Sequence, residues 1–122
     1  MSSVLVVDAA NVVGSRPDGW WKDRAGAAQR LHEQLMLGDT GYDDVVLVLE
    51  GRAKGGVKAG RDGHVRTVHA KGHGDDTILE QARAAVERGG RVAVVTADRM
   101  LQARVQGAGA VALSPSWLLD HL

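Results

Sequence analysis

An α/β domain, a three-layer sandwich around a central, mostly parallel sheet of about five strands, is the fold class the sequence predicts. Three observations carry it. Short β-branched runs such as Val4–Val7 and Val45–Leu49 have the form of strands buried on both faces. Stretches with apolar residues three and four apart alternate with those runs, as amphipathic helices would. Glycine marks most of the junctions between the two patterns. Strands alternating with helices build a parallel sheet with helices on each side. The 122 residues suffice for one such domain, 1–122, and no internal repeat or linker divides them.

In chain order, Val4–Val7 is the first strand and ends at Asp8. Arg16-Pro17-Asp18-Gly19 is a turn, after which Ala25, Ala28, Leu31 and Leu35 recur at helical spacing until Gly38 stops them. Val45–Leu49 is the second strand and ends at Glu50-Gly51. The glycine-rich stretch 51–63 reads as a loop, and Val65–Ala70 as a third strand. Gly72-His73-Gly74 turns into a helix with an apolar stripe of Ile78, Leu79, Ala82, Ala85 and Val86, which Gly89-Gly90 ends. Val92–Val95 is a fourth strand, running into Thr96-Ala97-Asp98. A short helix with Met100, Leu101 and Val105 follows, then a brief strand at Ala110–Leu113. Ser114-Pro115 supplies N-cap and first residue of a last helix.

Composition removes several function classes. Apolar residues are 44% and charged residues 25%, ordinary for a globular protein. No apolar run is long enough to cross a bilayer. Met1-Ser2-Ser3 leads straight into a strand without a basic region, so the expected location is the cytoplasm. With no cysteine there is no disulfide, thiolate zinc site or cysteine nucleophile. Fifteen basic and fifteen acidic residues leave no net charge. Residues 51–73 depart from that balance: Arg52, Lys54, Lys58, Arg61, Arg66 and Lys71 face Asp62 alone. Such a segment is a solvated loop unless something beside it gives it a partner.

The acidic residues supply a candidate. In parallel α/β sheets ligands bind beyond the carboxyl ends of the strands, where strand order reverses. Asp8, Glu50 and Asp98 each stand at or just past such an end, and Asp75 and Asp76 open the helix after the third strand. Carboxylates gathered on one rim repel one another and raise their pKa values unless a cation joins them, and Mg²⁺ or Mn²⁺ is the hard cation such oxygens prefer. Each acid also has a local account. Loops are wet, Asp75 and Asp76 suit the positive end of a helix, and Thr77-x-x-Glu80 fits a capping box. Asp43, Asp44, Asp62 and Asp120 lie off the pattern and read as solvated.

Val7-Asp8-Ala9-Ala10-Asn11-Val12-Val13-Gly14 resembles the opening strand and turn of PIN-like, NYN-type ribonuclease domains. Leu49-Glu50-Gly51 is similar to that family's second acidic strand end, Gly74-Asp75-Asp76-Thr77-Ile78 to its Ala-Asp-Asp-x-Ile segment, and Val94-Val95-Thr96-Ala97-Asp98-Arg99 to its Val-Thr-Ser-Asp-Arg segment. Gly107-Ala108-Gly109-Ala110-Val111 resembles the stretch before its last strand. The matches come in family order over nearly the whole chain. Glu50 stands where the family usually has Asp, and Ala97 where it often has Ser.

The resemblance implies metal-dependent hydrolysis of RNA phosphodiester bonds. Asp8, Asp76 and Asp98 would hold Mg²⁺ or Mn²⁺, with Asp75 and Glu50 at a second ion or at bound waters. Asn11 would orient Asp8 or donate to phosphate, and Thr96 would touch a phosphate or simply hold its turn. Arg52, Lys54, Lys58, Arg61 and Arg99 would contact the RNA backbone without reading sequence. RNA is the expected partner, no membrane is, and a homodimer is left open.

The residues also bear on other readings. A domain that binds RNA or protein without cleaving is kept open by Glu50. A phosphohydrolase of free nucleotides could use the same metals, but so short a chain leaves little room for a closed nucleobase pocket. Trp20-Trp21 could stack on a base, though such a pair more commonly staples a helix start to the core; Trp117 reads as packing. His64 and His69 face opposite sides of a strand, which leaves His73 alone near the acids. The run from Gly51 to Lys58 misses a P-loop by one residue and lacks its Ser/Thr and helix. A haloacid-dehalogenase-type phosphatase needs a second Asp where Ala10 stands, and its paired acids after the Thr-bearing strand.

Overall fold

The computed structural model describes residues 2–122. Six strands form one sheet: β1 (Ser3–Asp8), β2 (Asp44–Leu49), β3 (Gly60–Asp62), β4 (Val65–His69), β5 (Arg91–Val95) and β6 (Val111–Leu113). Their order across the sheet is β3-β4-β2-β1-β5-β6, parallel throughout except for β3, which joins the edge antiparallel. The helices are α1 (Ala9–Gly14), α2 (Arg24–Leu37), α3 (Gly74–Glu87), α4 (Arg99–Gly107) and α5 (Pro115–Leu119). They cover both faces. One core sets Leu5, Val7, Leu47 and Leu49 of the sheet against α1, α2 and α5; the other sets Val4, Val6, Val46, Val48 and Val94 against α3 and α4. Alternate residues of each strand serve opposite cores, which is why the strands read as unbroken apolar runs.

Several expectations are corrected by tertiary structure. The segment expected as loop at 51–63 contains a 3₁₀ helix, Gly51–Gly56, and the edge strand β3. That 3₁₀ helix lies hard against α2: a Cβ on Gly56 would stand 2.0 Å from the Ala25 carbonyl oxygen. The turn expected after Asp8 is the helix α1. No capping box forms at Thr77, because α3 starts at Gly74 and Thr77 already lies inside it. Trp20 does pack on the first core, but Trp21 is exposed, so only half of the expected staple exists. At α5 the expected arrangement is present: Ser114 Oγ accepts from Trp117 N–H, and Pro115 follows.

Topology fixes where a site can form. Connections from β1 progress outward through β2 to β4, and α3 then carries the chain back to β5 on the other side of β1. Strand order therefore reverses between β1 and β5, which opens a crevice at their carboxyl ends. Asp8 closes β1 on one side of that crevice, and Thr96 and Asp98 leave β5 on the other. Among the described residues no helix is long and apolar enough to cross a membrane.

Candidate active site

Asp8 is buried, yet it is the N-cap of α1, its Oδ1 facing the Asn11 N–H at 3.4 Å. Its Oδ2 accepts from Asn11 Nδ2 at 2.6 Å and from the Thr96 hydroxyl at 2.8 Å. Burial holds the Asp8 carboxyl above the ordinary carboxylate range; the Thr96 and Asn11 hydrogen bonds pull it back, and the Asp75 charge adds to the rise. Thr96 is wholly buried and also accepts from the Asp98 N–H at 3.2 Å, so one hydroxyl ties the two strand ends together. Holding the turn is one of the two roles expected of Thr96, and the structure adds its hydrogen bond to Asp8.

Asp98 caps α4 in the same way, its Oδ1 accepting from the Leu101 N–H at 3.1 Å. Glu50 reaches across to α3 and accepts from the Gly74 N–H at 2.8 Å. The longer Glu arm thus has a use of its own: it caps a helix that begins 24 residues later. Three helix starts are bound by three acids of one rim, each with one oxygen; Asp8 Oδ1 is only weakly engaged, and Asp98 Oδ2 and Glu50 Oε1 have no hydrogen-bond partner among the described residues.

Asp75 joins this group and Asp76 does not. The Asp75 carboxyl is raised by burial first and then by the charges of Asp98 and Glu50, with Arg104 and His73 opposing. With its effect on Asp8, Asp75 is electrostatically coupled to all three of the other acids. The Asp76 side chain is 77% exposed and lies 3.6 Å from the Arg104 guanidinium. The order expected for the pair is therefore reversed, and helix geometry explains it. Asp75 precedes Ile78, Leu79 and Ala82 by three, four and seven residues and shares their buried face, whereas Asp76 aligns with exposed Glu80 and Arg83.

The basic residues divide as well. Arg52 and Lys54 follow Glu50 on the 3₁₀ helix, Lys58 follows Val57, whose carbonyl accepts from His69 Nε2–H at the end of β4, and Arg99 follows Asp98. These four stand on the carboxyl side of the sheet. Arg61 does not: β3 runs antiparallel, and Arg61 lies 3.2 Å from Asp44 at the start of β2. Its expected place beside the acids is corrected by that reversal. Asp43, expected to be solvated, accepts from the Ser3 N–H at 2.9 Å at the same end of the sheet.

Beside the acids lies a cleft of about 480 Å³. Ala9 and Val13 of α1, Trp20, Ala28 and Ala53 supply its apolar wall, and Glu50 borders both the cleft and the acidic group. The cleft is open to solvent, so the expectation that so short a chain leaves little room for a closed nucleobase pocket stands beside it. Arg24 stands with its guanidinium 5.0 Å from the Trp20 ring centroid.

The donor set suits a hard divalent cation. Among the described residues none of Asp8, Glu50, Asp75 and Asp98 makes an ion pair, and burial first, with repulsion from neighbouring acids second, raises Asp8 and Asp75. Nor do any three described His, Asp or Glu side chains form a ready ligand set for one ion. Mg²⁺ does not require one, since it commonly takes one or two carboxylates and keeps several waters.

Solved structures similar to this chain include Rae1 (YacP) from Bacillus subtilis, at 24% identity and a TM-score of 0.68 over 96% of this chain and 71% of that one. A tryptophan-to-leucine variant of the same protein matches at 24% identity and a TM-score of 0.66, covering 98% of this chain and 74% of that one. At such identity the likeness carries the fold. No curated protein matches the sequence significantly. The family model of the YacP-like NYN domain matches residues 5–122, and NYN domains are generally nucleases. A sheet that reverses between β1 and β5, a rim of acids at that reversal and a family match over nearly the full length lead to one assignment: the chain belongs to the YacP-like NYN domain family.

Proposed function

We propose that the chain is a metal-dependent ribonuclease that hydrolyses RNA phosphodiester bonds with Mg²⁺ or Mn²⁺. The observation that carries the reading is the group of four acids that have no ion-pair partner among the described residues, beside the sheet's switch point, two of them raised. When bound, a divalent cation lowers the pKa of a water and offsets charge on the scissile phosphate. One or two of Asp8, Asp75 and Asp98 would bind it directly, and the remaining acids, Glu50 among them, would hold its waters; Asp75 takes the part first given to Asp76. Asn11 and Thr96 would orient Asp8 by fixing Oδ2, which leaves Oδ1 with only its long contact to the Asn11 N–H. Arg52, Lys54, Lys58 and Arg99 would neutralise backbone phosphates on either side of the cut.

The deciding experiment is cleavage of single-stranded RNA in Mn²⁺ by the parent, by the parent with chelator, and by Asp8→Asn. The proposal expects cleavage only in the first. Equal rates in all three would remove both the metal and the acids from the chemistry.

Two observations favour other uses of the same rim. Glu50 is committed to Gly74, which suits a domain that binds RNA without cutting it; millimolar Mg²⁺ or Mn²⁺ giving no heat in a calorimetric titration would support that use. The cleft also suits a free nucleotide, and hydrolysis of nucleoside triphosphates in preference to oligonucleotides would support that one.

A further inference from the structure

We infer that the cleft beside the acidic rim is a nucleobase subsite, which takes one unstacked base of the RNA strand next to the phosphate being cut. The inference rests on the ribonuclease reading for its substrate class and on the cleft itself for the rest. A volume of about 480 Å³ lies within the range of small-ligand sites. Its wall is mostly small and apolar, from Ala9, Ala10, Val13, Ala28 and Ala53, and so offers flat contact surface rather than a network of hydrogen bonds. Trp20 brings an aromatic ring and Arg24 a planar cation, the two side-chain types on which bases stack.

Location supplies the orientation. Ala9 follows Asp8 directly, Gly72 and His73 lead into Asp75, and Glu50 belongs to both places, so a base in the cleft puts its own phosphate at the acids. Charge fits the same direction: Arg24 at the cleft, with Arg52 and Lys54 on the adjoining 3₁₀ helix, complements a phosphate chain. Arg24, Glu50 and His73 are the only charged or titratable side chains of the lining. The subsite therefore recognises that a base is present more than which base it is. It also gives single strands an advantage, because a paired base must first leave its duplex.

Binding is measured in EDTA, where cleavage does not interfere, with a short single-stranded RNA and the same RNA carrying an abasic ribose at each position in turn. The parent is expected to lose about 5- to 150-fold in affinity at one position, the range that one stacked base supplies. Ala10→Phe and Ala53→Phe fill the cleft from two walls and should each abolish that difference while the abasic strand still binds; thermal melting identifies either variant that fails to fold. Arg24→Gln should weaken the base-bearing strand more than the abasic one. Equal affinity for all strands, no measurable binding of any, or a difference that survives both folded Phe variants would overturn the subsite. Cleavage in Mn²⁺ is scored separately. A parent that cuts RNA but ignores the missing base loses the subsite and keeps the ribonuclease reading, and one that prefers the base but cuts nothing does the reverse.

Discussion

The two ends of the same sheet treat their acids differently. At the amino end Asp43 accepts from the Ser3 amide and hydroxyl, and Asp44 faces Arg61 at 3.2 Å. At the carboxyl end Asp8, Glu50, Asp75 and Asp98 make no ion pair among the described residues, and burial and mutual repulsion raise two of them, against a weaker pull from Arg104 and His73 on Asp75. An acid that serves folding alone is given a local partner. The carboxyl rim instead bears a standing electrostatic cost, offset in part by the helix starts it caps. Uncompensated like charge at a topological switch point is where a functional site is to be sought.

The largest effect that would sharpen this contrast is expected at Asp8→Asn. Asp8 already uses one oxygen for both Asn11 Nδ2 and Thr96, so an amide oxygen can keep both bonds. Ribonuclease activity should fall more than the roughly 100-fold seen when outer partners of a metal site are lost. The melting temperature should hold or rise, since the substitution removes a buried charge. A large loss of stability would place Asp8 with the structural acids instead.

Asp75→Asn and Asp76→Asn come next and form a matched pair. The first should cost about 10- to 100-fold in activity; the second should leave activity essentially unchanged, measured on the same RNA. The reverse order would return the metal-holding part to Asp76. Thr96→Val should cost about tenfold. Because the Thr96 hydroxyl lowers the Asp8 pKa, its removal should also shift the acid limb of the pH–rate profile to higher pH. A loss of rate without that shift would mean that Thr96 only holds the turn.

These variants also mark how much was legible in the sequence. The apolar runs gave the strands because both faces of each parallel strand are covered, and the position of Asp8, Glu50 and Asp98 followed from strand ends. Edge strand β3 was hidden: Gly60, Arg61 and Asp62 are all exposed and show no apolar alternation, and only pairing with β4 makes them a strand. Glu50 as a helix cap could not be read, since its partner lies 24 residues away. Asp75 against Asp76 could have been read, from the phase of the apolar stripe that Ile78, Leu79 and Ala82 define. Trp20 as a cleft wall could not, because its neighbours come from α1, α2 and the segment after β2.

Smaller effects test the electrostatic side. The fold raises Asp8 and Asp75, so it favours their protonated forms. Their contribution to stability is complete below the ordinary carboxylate pKa and is lost as pH climbs through the raised values. Urea unfolding without divalent cations should show the parent losing ground to the Asp8→Asn, Asp75→Asn double variant as pH rises from the acid range to neutrality. A pH-independent gap would mean that the two acids are not strained by folding. Smallest of all is Arg61→Ala. An exposed pair such as Arg61–Asp44 contributes at most about 1 kcal/mol, so stability should change little and RNA cleavage not at all. A clear loss of cleavage would bring the amino end of the sheet into substrate binding.

That Asp8, Glu50 and Asp98 each hold a backbone amide has a practical consequence. The N–H groups of Asn11, Gly74 and Leu101 are bonded to the carboxylates proposed for chemistry. Hydrogen–deuterium exchange at these three protons would follow the occupancy of the acids without dye, label or turnover. Anything that draws the carboxylates inward, or lets them go, would be written in the opening turn of three helices at once.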